Sequence, residues 1–118
     1  MRETHEGPVF GQGALWVGAW WTDKPALKQA REIGGMKYPS FTIREGNVTD
    51  ELGPPRVQAE RVDGKGEASG STGGYAKAVD DAGKTFHWWP TAISFPSPGC
   101  WQVTETVGRT SITYVVWI

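Results

Sequence analysis

Cys100 and His87 are the residues whose chemistry could support nucleophilic catalysis or a copper site. A cysteine nucleophile needs a neighbouring base, and no sequence motif links His87 to Cys100. Cys100 follows a Pro/Gly corner at the start of a predicted strand, whereas reactive thiolates are favoured at helix N-termini. A blue-copper site would need a second His and a Met soon after the cysteine, and residues 101–118 contain neither. We therefore expect Cys100 to be a small, half-buried apolar residue and His87 to be a hydrogen-bonded neighbour of Trp88, with His87 and Cys100 as weak metal candidates.

Acidic residues offer a second possible chemistry, and four of them occur in predicted turns and loops: Asp63, Glu67, Asp80 and Asp81. A calcium site needs several converging oxygens, and the chain has no EF-hand or comparable spacing. A glycosidase needs two carboxylates on either side of a cleft, and no spacing nominates such a pair. Acidic residues in turns are usually favoured for their hydrogen bonds to the backbone. We therefore predict no enzymatic activity and no cofactor.

Seven tryptophans give the chain an unusually large aromatic content, which must fill a core or form a binding face. Sugar rings stack their C–H faces on exposed aromatic rings, so exposed tryptophans are candidate carbohydrate ligands. The candidates are Trp20, Trp21, Trp88, Trp89 and Trp117. Adjacent side chains of a strand point to opposite faces, so at most one of Trp88 and Trp89 can be core. The alternative is that the second ring packs under a loop or against an inserted helix. Trp16 and Trp101 are expected in the core.

Length and charge restrict the class of protein. A chain of 118 residues suits one domain, 1–118, with a single core. The net charge of −1, from 12 basic and 13 acidic residues, gives no electrostatic case for binding nucleic acid or an anionic membrane. One cysteine cannot form an intrachain disulfide. No apolar run is long enough to insert into a membrane, and residues 1–13 do not resemble a signal peptide, although an upstream targeting sequence could be missing.

The C-terminal segment predicts a β-hairpin whose register follows from its turn. If Gly108-Arg109 is a two-residue type II′ turn, Gly108 supplies the positive φ at the first position. Val103 then faces Tyr114, and Trp101 faces Val116. Both pairs lie on one face, and a slip of one residue would mix the apolar and polar faces. The turn chemistry and the apolar pattern therefore predict the same pairing.

The same register makes two further predictions about the hairpin. It places Glu105 on the inner face near the turn and Trp117 on the outer face opposite Cys100. An exposed Trp117 beside Val115 would form an apolar patch suited to a homodimer or to another protein partner.

The rest of the chain predicts short strands, turns about every ten residues and one inserted helix, a spacing typical of a β-sandwich. A helix is expected at about Pro25–Ile33, ended by Gly34-Gly35. Further strands are expected within 14–21, 38–43, 56–62, 75–79 and 91–95. Residues 1–8 are expected to fray. The Gly/Ser-rich segment 63–74 is too poor in apolar residues to order itself by burial, so it predicts a mobile loop.

Three segments near the C-terminus, Phe95–Thr104, Val107-Gly108 and Ile112–Val116, resemble one family's sequence pattern. The family consists of uncharacterised bacterial secreted proteins and lipoproteins whose C-terminal domain ends in Phe-Pro-x-x-Gly-Cys-Trp-x-Val-Thr, a Val-Gly turn and a Phe-Val-Val strand. The resemblance implies an immunoglobulin-like sandwich in an exported bacterial protein, secreted or associated with the cell envelope. It supplies no catalytic residues.

The combined prediction is an all-β protein, an immunoglobulin-like antiparallel β-sandwich of about seven strands with one short helix. We expect a non-catalytic interaction module with a protein partner. A carbohydrate-binding module that uses exposed tryptophans to hold a polysaccharide is the alternative, and a copper-binding domain is a more remote one.

Overall fold

The structure is a computed structural model that describes residues 9–18 and 24–118. Within these ranges the chain forms one helix and ten strands. In chain order they are β1 (Val9–Gln12), β2 (Leu15–Gly18), α1 (Lys24–Ile33), β3 (Gly35–Arg44), β4 (Asn47–Val48), β5 (Arg56–Arg61), β6 (Glu67–Thr72), β7 (Ala76–Val79), β8 (Thr85–Ser94), β9 (Cys100–Val107) and β10 (Thr110–Trp117). The predicted all-β class is confirmed, with ten strands in place of about seven. The expected fraying of residues 1–8 lies outside the described residues.

All paired strands are antiparallel, and they form one continuous curled sheet. The order of neighbours is β1-β2-β3-β8-β6-β5-β9-β10, with β4 beside β3 and β7 beside β8. Side chains join the two ends of this order. Gln12 Nε2 donates to the Ser111 carbonyl over 3.0 Å, and the Phe10 and Tyr114 rings meet edge to face with centroids 6.5 Å apart. The result is a barrel-like sandwich with one continuous path, whereas immunoglobulin domains have two separate sheets.

The β9–β10 hairpin has the predicted register throughout. Gly108 has a φ of 57°, as the first position of a type II′ turn requires. Val103 faces Tyr114, and Trp101 faces Val116, and all four side chains are buried. The turn residue and the inward apolar pattern were sufficient to specify this pairing because the contacts are local.

The inserted helix was also predicted correctly. It ends at Gly34, whose φ of 72° is the left-handed conformation that glycine adopts most easily. The Gly34 N–H donates to the Ala30 carbonyl over 2.8 Å, and Ala30 is buried in the core. The helix therefore covers part of the core and leads directly into β3.

The prediction of a loop over residues 63–74 is wrong for residues 67–72, which form β6. β6 pairs with β5 through one half of its length and with β8 through the other. Backbone hydrogen bonds to two neighbours thus order a strand that has few apolar side chains. Gly70 makes this possible, because a Cβ there would lie 2.8 Å from Val57 and from the Ala92 carbonyl oxygen.

Candidate functional site

The outer surface of β6, β5, β9 and β10, which we call the open face, carries an exposed group of apolar side chains. The register aligns Val62, which directly follows β5, with Cys100 on β9 and Trp117 on β10 in one row, and the Val62 N–H donates to the Cys100 carbonyl over 2.9 Å. Val115 lies one row away on the same face, opposite Gln102. Val62, Val115 and Trp117 are 55%, 53% and 56% exposed. We call the four residues Val62, Cys100, Val115 and Trp117 the apolar patch.

The strand end that carries Trp117 is held from two sides. Arg31 Nε in α1 donates to the Trp117 carbonyl over 3.0 Å. The next residue, Ile118, exchanges two backbone hydrogen bonds with Gly99, each 2.8 Å long. The Arg31 bond occupies a carbonyl at the outer edge of β10, and the Ile118–Gly99 bonds extend the β9–β10 ladder by one residue pair. Trp117 is therefore exposed on a rigid backbone.

A polar cluster fixes the corner that leads into β9. Arg61 Nε donates to Asp63 Oδ1 over 2.8 Å, and its Nη1 donates to Ser97 Oγ over 3.3 Å. Asp63 Oδ1 also accepts from the Cys100 N–H, and the Ser97 carbonyl accepts from Trp101 Nε1. The hydrogen bond from Arg61 is the largest influence that lowers the pKa of Asp63. The residues of the C-terminal motif thus have structural roles here.

A shallow polar groove of about 400 Å³ lies beside the apolar patch on the open face. Its side chains are mostly amides, carboxylates and hydroxyls: Gln58, Glu60, Glu67, Ser69, Gln102 and Thr104. Glu60 lies directly opposite Glu67 on the neighbouring strand, which places two like charges side by side. This groove was not predicted, because it requires the pairing of β5 with β6 and β9.

The outer surface of β2, β3 and β8 forms a contrasting region, which we call the aromatic face. Trp16 pairs with Phe41, and the register of β3 with β8 places Trp88 on the other side of Phe41. Phe41 is only 1% exposed although it points away from the barrel interior. Next to this row, Pro39 lies opposite Pro90 beside a groove of about 410 Å³.

The predicted tryptophans have different outcomes. Trp89 points inward and is buried, and its Nε1 donates to Thr42 Oγ1 over 2.9 Å. Trp88 points outward and is half-buried, so the two rings lie on opposite faces as expected. Trp101 is core, but Trp16 is on the aromatic face and only half-buried, so its core assignment was wrong. Trp20 and Trp21 lie outside the described residues.

Trp117 is exposed on the outer face, as the hairpin register predicts. The structure therefore does not bring the described candidate tryptophans together. Trp117 lies on β10 of the open face, Trp88 lies on β8 of the aromatic face, and Trp89 is inside the barrel.

A carboxyl group is enclosed in the barrel interior, where the register placed it. Glu105 is fully buried, and Tyr38 donates its hydroxyl hydrogen to Glu105 Oε2 over 2.8 Å. Glu105 Oε1 has no hydrogen-bond partner among the described residues. Burial raises the pKa of Glu105 to about 7, because an ionised carboxylate loses its hydration there and neighbouring hydroxyls offset only part of that loss.

The weak metal candidates are not brought together. His87 stacks on Tyr75 with ring centroids 5.8 Å apart, on a strand that is separated from Cys100 on β9 by β6 and β5. Over residues 9–18 and 24–118, no three His, Cys, Asp or Glu side chains form a group that could hold a metal ion. Within the same ranges, no helix has the length and apolar character needed to cross a membrane.

Fold and surface together define this chain as an antiparallel all-β domain with an exposed apolar patch beside a polar groove. A comparison with protein-family models, with curated proteins and with solved structures finds no match in any of the three. The C-terminal resemblance stays a prediction.

Proposed function

We propose that the protein is a non-catalytic interaction module that binds a protein partner through the apolar patch. The supporting observation is the arrangement of the patch: Val115 and Trp117 lie on β10, Val62 lies across β9 from them on the same face, and each of the three side chains is more than half exposed. Protein interfaces commonly have such an apolar centre with a polar rim, and tryptophan is among the residues that contribute most to binding energy.

Rigidity supports this role for the patch. Val115 and Trp117 project from a strand whose backbone is bonded to β9, and the Arg61 cluster fixes the corner before Cys100. A preorganised surface loses less conformational entropy on binding than a flexible loop. Burial of each exposed apolar side chain would contribute roughly 25 cal/mol per Å² before the costs of association.

The C-terminal resemblance supports a setting for this module, and we include that setting in the proposal. The protein acts as an accessory domain of an exported bacterial protein, secreted or associated with the cell envelope. A partner at the patch would then be another envelope or secreted protein chain, or a further copy of this one.

Photo-cross-linking at the patch tests the proposal. A photoreactive phenylalanine analogue at position 115 should give a defined protein adduct in the native producing cells, and mass spectrometry would identify its sequence. The matched control carries the analogue at Val79, which is equally apolar, 59% exposed and outside the open face. The same adduct from both positions, or none from position 115, would exclude the patch as an interface.

A carbohydrate-binding module is the second candidate, and the polar groove favours it. Gln58 and Gln102 offer amide donors and acceptors for sugar hydroxyls, and Trp117 offers a stacking surface close by. Affinity electrophoresis against a polysaccharide panel separates this function from the first. Retardation that Trp117→Ala abolishes and Trp88→Ala leaves unchanged would support it, and equal mobility on every glycan would exclude it.

A further inference from the structure

We infer that the partner at the apolar patch is a second copy of this chain, bound face to face about a two-fold axis. This inference rests on the proposed function and specifies its partner. Two copies related by such an axis use the same surface, so the patch must be complementary to itself. Its shape and its charges both satisfy this requirement.

Shape complementarity follows from the row Val62, Cys100 and Trp117. Suppose that the two-fold axis lies above β9 and runs parallel to the strands. The row Val62, Cys100 and Trp117 of one copy then faces the same row of the other copy in reversed order. Trp117 of one copy then lies over Val62 of the other, and the two Cys100 residues face each other at the centre. A large ring against a small side chain on both sides fills the space evenly, as in a well-packed core.

Charge complementarity follows from the order of strands across the same face. Glu67 on β6 and Glu60 on β5 lie on one side of the patch, and Arg31 of α1 lies on the other, where it reaches the Trp117 carbonyl. The two-fold axis exchanges these sides. It therefore places Arg31 of one copy near the carboxylates of the other, and it also separates the acidic pairs of the two copies.

Sedimentation equilibrium of the full chain tests the inference. The protein should dimerise reversibly, and Trp117→Ser should weaken dimerisation at least about 10-fold, as expected for a central aromatic residue. Val115→Ser should weaken it less, and the matched control Val79→Ser should not change it. Glu67→Arg should weaken it several-fold and less so at high salt, because it places like charges together. Thermal melts of each variant establish that it is folded.

Cys100 supplies an independent geometric readout, since it is the one cysteine of the chain. Sheets packed face to face are about 10 Å apart, which is too far for a direct disulfide but within reach of a short bis-maleimide. The reagent should link two copies through Cys100 at dilute concentration, and Trp117→Ser should prevent this link.

The outcomes separate the inference from the proposed function. A dimer that Trp117→Ser weakens and bis-maleimide captures supports both. A chain that remains monomeric up to about 1 mM, together with a position-115 photoadduct to a different protein, overturns the second copy but retains the interaction module. A dimer that Trp117→Ser and Val115→Ser do not change overturns the inference, because it uses another surface. Monomeric protein with no photoadduct overturns both.

Discussion

The open face and the aromatic face are built from the same alternation of inward and outward side chains, yet they expose their large residues very differently. On the open face Trp117 is more than half exposed, whereas on the aromatic face Phe41 is almost completely covered. Trp16 and Trp88 lie on either side of Phe41, but Trp117 ends its row at the edge of the sheet. An outward apolar residue is thus available for binding only where its neighbours leave it uncovered.

The difference between the two faces also explains why tryptophan content alone does not locate a binding surface. The aromatic face has more aromatic residues, but Phe41 is almost completely covered and Trp16 and Trp88 are half-buried. The open face has one tryptophan among small and polar neighbours, and that ring remains accessible. Position relative to neighbouring strands therefore decides the role of each ring.

The largest expected difference between the faces is in stability. Phe41→Ala should lower the free energy of unfolding by about 3–5 kcal/mol, because it removes a fully enclosed ring and leaves a cavity. Val115→Ala should change it by no more than about 0.5 kcal/mol, since the side chain is exposed. Denaturant unfolding measures both changes in free energy, provided that the m-values of the variants equal that of the wild type.

Equal losses of unfolding free energy in Phe41→Ala and Val115→Ala would contradict the expected difference between the two faces. The result would mean that Phe41 is not packed as the structure shows, or that Val115 is covered in solution. Repeating the Val115→Ala measurement at low and high protein concentration distinguishes the latter case, because only a covering copy makes stability depend on concentration.

The buried carboxyl beneath the open face predicts a pH dependence of the free energy of unfolding. Burial raises the pKa of Glu105 from its ordinary value of 4.5 to about 7, so the folded protein holds this proton more tightly than the unfolded chain. Its favourable contribution is complete below pH 4.5 and is lost as the pH rises through about 7. The loss is about 3 kcal/mol for a shift of this size.

Glu105→Gln should remove this dependence, because the amide keeps the shape and does not ionise. The difference in unfolding free energy between the variant and the wild type should therefore change in favour of the variant between pH 4.5 and 8. The low pKa of Asp63 acts in the opposite direction, but it is common to both proteins and cancels in the difference. A pH-independent difference would show that Glu105 is not buried as a neutral acid.

Local contacts explain which parts of the open face could be predicted. The Gly108-Arg109 turn fixes the β9–β10 register, so the inward position of Glu105 and the outward position of Trp117 followed from the sequence. Val62 could not be placed beside Cys100, because that contact requires the pairing of β5 with β9 across some forty residues. The patch was consequently predicted only in part.

Long-range pairing also explains the failures. β6 has a small-residue sequence without a clear apolar pattern, and it is ordered by hydrogen bonds to β5 and β8. The size of Trp16 favours a core position, but Trp16 pairs with Phe41 on the outer face of the sheet. The choice between Trp88 and Trp89 likewise depends on β3, where Thr42 accepts the Trp89 N–H.

Two arginines provide a smaller test of how the faces are supported. Arg61 binds Asp63 and Ser97 at the corner before the open face, and its side chain is partly covered. Arg61→Ala should lower the free energy of unfolding by about 1–2 kcal/mol through the loss of charge-assisted hydrogen bonds. Arg44→Ala is the matched control: Arg44 forms an exposed pair with Glu51 over 3.3 Å, and its loss should cost about 0.5 kcal/mol or less.

Thermal denaturation at one pH compares the two arginine variants. If Arg44→Ala costs as much as Arg61→Ala, the corner cluster contributes no more than an ordinary surface ion pair. The corner would then add little to the rigidity of the open face.

The smallest expected effect concerns two turns, one between β9 and β10 and one between β3 and β4. The β9–β10 hairpin has glycine at its positive-φ position, whereas the turn between β3 and β4 has Glu45 at a φ of 53° followed by Gly46 at 81°. Two positive φ values define a type I′ turn, in which Asn at the first position is strongly preferred. Glu45→Asn should therefore raise the free energy of unfolding by up to about 1 kcal/mol, because Asn tolerates the left-handed conformation better.

Glu45→Gln removes the charge without this conformational gain and should leave stability unchanged. A gain of equal size from both variants would assign the effect to charge and would remove the distinction between the two turns.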